Sequence, residues 1–213
     1  MHHNSVSVDS SSLDGSFDIK INIMLLGDSN VGKSSILRRY CENQFSPNFI
    51  SSIGVDFETK ILKINNQNIN VSIWDTAGQE RYKVLSKNYY NQSDGFIIVY
   101  DITKNGTFFN IKKWIEEIND SSSEYNKAII VGNKSDLEED REIKKEDGKK
   151  LAKDHNLNFF EISALNGHNI DKAFDCLIKI IFKDIKSKES NGSNSSSKLT
   201  IERHRKNNKR KCC

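Results

Sequence analysis

The stretch "GDSNVGKS", Gly27 to Ser34, constrains this chain more than any other. It follows an apolar run from Ile19 to Leu26 and precedes the helix-like segment "SSILRRYCEN", so it reads as strand, loop, helix. Its form is GxxxxGK followed by Ser or Thr. Backbone N–H groups of such a loop, with the positive end of the helix behind them, surround phosphates. Lys33 would reach the β- and γ-phosphates and the Ser34 hydroxyl would ligate magnesium. The plainer reading is a glycine-rich turn with a chance Lys-Ser, and the flanking strand and helix weigh against it. Asn30 occupies a loop position where glycine is frequent, and asparagine also tolerates positive φ.

Around this loop the pattern is α/β. "FETKILKI" and "INVSIWD" alternate apolar and polar residues across "NNQN", the chemistry of an antiparallel hairpin. Three later strands are short apolar runs, "GFIIVYD", "AIIVGN" and "FFEIS". Between and after them lie helical patterns, with Ile111, Trp114, Ile115 and Ile118 on one face, and Ile170, Ala173, Phe174, Leu177 and Ile181 on another. Strands buried on both faces and alternating with amphipathic helices predict an open, mostly parallel sheet. Residues 1–17 are Ser-rich and aperiodic, the composition of a disordered arm. After Ile185 the periodicity ends in "KSKESNGSNSSSKLT", the composition of a flexible tether.

Composition narrows the function classes. The 213 residues suffice for one domain plus tails, and no apolar run approaches the roughly 20 residues of a membrane span. The opening residues lack a basic, apolar leader and His2 is second, so neither a secretory signal nor N-myristoylation is expected. Cys41 and Cys176 are far apart, without metal-ligand spacing, and fit a reducing compartment. The net charge is +3, yet six Lys/Arg and no acid lie from Arg203 onward, which leaves the body acidic. By charge alone, "RKNNKRK" suits a nuclear-import or nucleic-acid patch as readily as a membrane tag. It lacks interleaved aromatics and follows an acidic body, so nucleic acid is not expected as a partner.

Two further constellations stand at strand ends. In "IWDTAGQE", Asp75 can hold magnesium through water, the Gly78 backbone can close on a γ-phosphate, and Gln79 would orient an attacking water. In "GNKSD", Asp136 can accept from both the ring N–H and the amino group of guanine, a pair that adenine does not offer. Asn133 would tie this loop to the phosphate loop and Lys134 would lie along the base. "EISA" follows the last strand, where the Ala164 N–H, flanked by Ser163 and Leu165, could donate to the guanine carbonyl. Each string alone is ordinary polar loop composition. Their order after successive strands carries the weight.

"GDSNVGKS", "IGVDF", "WDTAGQERY", "NYY", "GNKSD" and "EISA" together resemble the Ras superfamily of small GTPases, and "IGVDF" and "WDTAGQERY" resemble its Rab family in particular. The resemblance covers residues 18–186 and leaves residues 187–213 as a hypervariable tail. It implies a P-loop NTPase fold, six strands with one antiparallel, flanked by five helices. It implies GTP or GDP bound with Mg2+, the phosphates held by Asp28, Ser29, Asn30, Val31, Gly32, Lys33, Ser34, Ser35 and Gly78, the metal by Ser34, Ser52 and Asp75, and the base by Asn133, Lys134, Asp136, Ser163, Ala164 and Leu165. Phe45 would pack on the guanine. Segments from Phe45 to Phe57 and from Asp75 to Tyr90 would order with the γ-phosphate and relax after its loss. Ile53, Gly54, Val55 and the aromatics Phe57, Trp74 and Tyr89 would be read by effectors; for Phe57 and Trp74, core packing is an equal alternative.

The same resemblance implies an exchange factor, an activating protein, a GDP dissociation inhibitor, an escort protein with its prenyltransferase, and effectors that direct vesicle traffic. It also explains the ending "KRKCC". Geranylgeranyl groups on Cys212 and Cys213, with basic neighbours attracted to anionic headgroups, would hold the chain on the cytoplasmic face of an intracellular membrane alongside a cytosolic pool. The sequence departs from the pattern at Ser52, where threonine is usual, and at Leu165 and Ile162, where lysine and threonine are usual. Ser52 keeps the hydroxyl but loses the β-branch that restricts side-chain freedom. These departures leave a second function open, a guanine-nucleotide-binding scaffold that barely hydrolyses. Gln79 and Asp75 favour the hydrolase. Asp136 speaks against a third, an ATP-dependent kinase or ATPase.

Overall fold

The computed structural model describes residues 17–45, 55–76, 90–121 and 127–192. Ser52, Ile53, Gly54, Gly78, Gln79, Tyr89, Cys212 and Cys213 lie outside them. The first apolar run forms β1 (Ile19–Leu26), in which Ile21, Ile23, Met24 and Leu25 are inaccessible to solvent. A strand apolar on both faces is stable only with layers on both sides. It accordingly lies inside a six-stranded sheet ordered β2-β3-β1-β4-β5-β6, with β2 (Val55–Ile64), β3 (Gln67–Thr76), β4 (Gly95–Asp101), β5 (Lys127–Asn133) and β6 (Asn158–Glu161). Every neighbouring pair is parallel except β2 with β3.

That hairpin turns more tightly than "NNQN" suggests. Gln67 and Asn68 already pair with Ile64 and Lys63, which leaves Asn65 and Asn66 as the turn, at φ 50° and 62°. Two consecutive left-handed residues are what a type I′ hairpin needs, and asparagine tolerates that region.

Five α-helices are present among the described residues: α1 (Lys33–Glu42), α2 (Asn105–Phe109), α3 (Ile111–Ser121), α4 (Lys145–Asp154) and α5 (Ile170–Gly192). The predicted face of α3 is the buried one, through Ile111, Ile115 and Ile118, in one apolar cluster with Met24 and Leu26 of β1 and Phe96 and Ile98 of β4. Side chains of this size each contribute about 1.5–3 kcal/mol on burial. On α5 a Cβ added to Gly95 of β4 would come within 2.7 Å of Ile181 Cδ1, so helix and strand touch closely. Tyr40 of α1 stacks on Phe174 of α5 with ring centroids 3.8 Å apart.

The chain divides into two units, Met1–Ile181 and Phe182–Cys213. In the second, helix continues to Gly192, past the point where the apolar period fades at Ile185. Beyond buried Phe182, its described turns carry Lys186–Glu189 and Lys188–Asp184 ion pairs at 2.8 and 3.4 Å, spacings that support a helix whose residues are mostly polar. Among the described residues no helix is long and apolar enough to cross a membrane.

Candidate nucleotide-binding site

Parallel β1, β3, β4 and β5 all run the same way, so their C-terminal ends gather four loops at one edge, where open α/β sheets bind ligands. The loop from β1 into α1 is shaped by close backbone approach. Gly27 has φ 138°, and a Cβ there would meet Val99 O at 2.2 Å. Gly32 has φ 97°, and its Cβ would meet Asn133 Nδ2 at 2.4 Å. Asn30 sits at φ 64°, in the left-handed region expected for a glycine substitute.

Lys33 is buried and folds back over the loop, its Nζ donating to Gly27 O at 2.7 Å and Asp28 O at 2.8 Å. Ser34 and half-buried Ser35 follow in the first turn of α1, Val31 is buried, and Ser29 is exposed. The Ser34 hydroxyl donates to Oδ2 of Asp75, itself buried near the end of β3. A hydroxyl and a carboxylate brought together beside a glycine loop form an oxygen donor set that suits Mg2+. These residues therefore fit a metal-bound phosphate: Ser34 and Asp75 would hold the ion, which would neutralise phosphate charge.

The side chain of Asp28 points elsewhere. It accepts from Trp114 Nε1 at 3.0 Å and Asn110 Nδ2 at 2.6 Å, which pins the loop to the start of α3. What remains at this position for phosphate is backbone.

The base loops are joined to the phosphate loop through one buried side chain. Asn133, at the end of β5, donates from Nδ2 to Val31 O at 2.8 Å and accepts at Oδ1 from Ala164 N at 3.2 Å. Asp136 accepts at Oδ1 from the Ser163 hydroxyl, and the same Ser163 oxygen accepts from Asn166 N at 3.2 Å. Lys134, at φ 68°, pairs its ammonium with the buried Asp101 carboxylate at the end of β4. Leu165 presents an exposed side chain beside buried Ser163 and Ala164, and Ile162 is fully buried. Phe45 is half-buried.

Three contributors went unnoticed in the sequence. Asp101 has a legible signal, an acid closing an otherwise apolar strand. Trp114 falls on the apolar face of its helix pattern, and nothing in that pattern indicates its N–H contact. Arg39 sits unmarked among helical residues, yet its guanidinium reaches the Ala164 and Leu165 carbonyls. Of the aromatics read as an effector surface, Phe57 and Trp74 stack at 5.0 Å with Phe57 about half exposed, while Trp74 also packs partly against the core cluster.

A glycine loop between β1 and α1, a Ser34–Asp75 pair beside it and the Asn133 bridge to the following loops, at one edge of a sheet with a single antiparallel strand, make up the architecture of a P-loop GTPase domain. Comparison with known proteins agrees: residues 22–183 match the Ras family. Ras-related protein RABA5c of Arabidopsis thaliana is 41% identical over 181 residues, 85% of each chain. Ras-related protein SEC4 of Saccharomyces cerevisiae is 42% identical over 172 residues, 81% of this chain and 80% of that one. Ras-related protein Rab-11B of Dictyostelium discoideum is 41% identical over 187 residues, 84% of this chain and 85% of its own. The chain belongs to the Ras family and, within it, to the Rab small GTPases. As such it binds guanine nucleotide, hydrolyses GTP and serves vesicle traffic.

Proposed function

We propose that this GTPase cycles between a GTP-bound form that recruits effectors and a GDP-bound form that releases them, on the cytoplasmic face of an intracellular membrane. Support comes above all from the double bridge of Asn133, which makes the phosphate loop and the base loop one frame. A frame of that kind holds the nucleoside constant while the γ-phosphate comes and goes.

In the hydrolytic step a water oxygen bonds to the γ-phosphorus while the bond from phosphorus to the β,γ-bridging oxygen breaks. The electron pair leaves on the GDP β-phosphate and the water's proton passes to the released phosphate. Lys33, freed from the Gly27 and Asp28 carbonyls, would turn to the β- and γ-phosphates, and Gln79 would orient the water. Magnesium, held by Ser34, Asp75 and Ser52, would neutralise developing charge. Asp136 would select guanine, with Ala164 N–H turned to the base carbonyl and Phe45 against the ring. Effectors would read Ile53, Gly54, Val55, Phe57, Trp74 and Tyr89; the exposed Phe57 ring over Trp74 suits that role. An exchange factor, an activating protein, a GDP dissociation inhibitor and an escort protein complete the cycle, with lipid on Cys212 and Cys213.

Single-turnover hydrolysis of pre-loaded GTP tests the reading. Gln79→Leu should slow it at least tenfold, by analogy with loss of one positioned transition-state group. Equal rates for the two proteins would leave a scaffold that binds without switching.

A further inference from the structure

Arg39 stands on the last full turn of α1, a helix whose first turn carries Lys33 and Ser34. All three nitrogens of its guanidinium are engaged. Nε donates to Ala164 O at 2.9 Å and Nη2 to Leu165 O at 2.6 Å. Nη1 donates to Asn43 O at 2.9 Å and Asn43 Oδ1 at 3.3 Å. Asn43 closes α1 in a left-handed cap, at φ 54°, and its N–H returns to Arg39 O at 3.1 Å. One side chain thus locks the helix end and reaches 125 and 126 residues along the chain to two successive carbonyls.

Those carbonyls matter because of what precedes them. Ala164 is held from both sides, at its N–H by Asn133 and at its carbonyl by Arg39. Elsewhere the loop is tied by the Ser163 hydroxyl to Asp136 and by two short-range bonds, Gly167 N to Ser163 O at 2.9 Å and Ser163 N to His168 O at 3.1 Å. Leu165 has no charged head to anchor the loop, and its side chain is exposed. A planar guanidinium fixes two acceptors at once, which an ammonium on a flexible stem cannot.

We propose that Arg39 is a positioning residue of the base pocket, holding the Ala164–Leu165 backbone against α1 so that discrimination between guanine and adenine depends on it. This rests on the guanine reading of the site. The 6-oxo group of guanine accepts from a backbone N–H where the 6-amino group of adenine cannot, so an Ala164 backbone free to tilt loses selectivity before it loses phosphate binding.

The test is equilibrium binding of GDP and ADP, with magnesium, to nucleotide-stripped full-length protein. Arg39→Ala should lower the GDP-to-ADP affinity ratio about tenfold, the scale of losing charge-assisted hydrogen bonds. Arg39→Lys should lie between it and wild type, and Arg38→Ala, at an exposed neighbour on the same helix, should leave the ratio unchanged. A role confined to stability would lower the melting temperature of Arg39→Ala with the ratio intact, and that result overturns the proposal. If Arg39→Ala fails to fold, Arg39→Lys decides: a wild-type ratio overturns it. A wild-type protein indifferent to the base would instead refute the guanine site itself, a separate outcome read from the same titration.

Discussion

Individual side chains here act by proximity more than by unusual chemistry. Gly32 is the clearest case, because its backbone is left-handed and a Cβ placed on it would collide with the Asn133 side-chain amide. Gly32→Ala should weaken GDP binding by more than about tenfold through strain of a few kcal/mol while the circular dichroism spectrum is retained. Cys41 illustrates the opposite, a reactive residue type made inert. Burial, with Glu58 nearby, pushes its thiol up to about 12. Since alkylation needs the thiolate, little of it is present at pH 8, and the reactivity rises as pH climbs toward that value. Peptide mapping after iodoacetamide at pH 8 should find Cys41 unmodified in the native protein and modified in denaturant; rapid native labelling would contradict the assignment.

Strands and helices carry these residues to one edge, and the base side is braced from behind. Arg141, after β5, makes a two-pronged contact with Glu161 at the end of β6, Nη1 to Oε1 at 2.7 Å and Nη2 to Oε2 at 3.1 Å, with both side chains largely buried. Removing the guanidinium alone leaves the buried carboxylate to the half-exposed Lys145 ammonium, 3.9 Å away. Arg141→Met should therefore cost about 3 kcal/mol in urea unfolding, and Arg141→Met with Glu161→Met should recover most of it. A single variant within about 0.5 kcal/mol of wild type would mean the pair is solvated in practice.

The same elements show what a sequence exposes. β1, β4, β5 and α3 were legible because burial on one or both faces writes a period into the residues. Asp75, Asn133 and Asp136 were legible because they stand at, or within a few residues of, the ends of such strands. The α4 helix was not singled out, since its buried face is only Gly148, Leu151 and Ala152 among lysines and acids. The last turns of α5 were missed for the related reason that polar i,i+3 and i,i+4 pairs sustain a helix without an apolar stripe. Arg39 and the Asp28–Trp114 contact were invisible, because they join residues 125 and 86 positions apart through side-chain reach that no local pattern records.

Taken together, the first unit is a sheet whose one edge gathers the loops proposed to hold phosphate, metal and base, tied to one another through Asn133, Arg39 and Asp75. A ligand bound only by the folded state stabilises it in proportion to its excess, by about 4 kcal/mol at a thousandfold over the dissociation constant. GDP with magnesium should accordingly raise the melting temperature by about 10 °C for a chain of this size, and chelation of the metal should reverse part of the gain. Phosphate-only recognition would give the same rise with ADP.

The identity of the base held at that edge decides the function. Chromatography of the nucleotide released when the purified protein is denatured reads this directly. Guanine nucleotide, close to one per chain and with no adenine nucleotide beside it, is the predicted result; adenine nucleotide in its place, or a protein that takes up neither GDP nor GTP when loaded with magnesium, would contradict it.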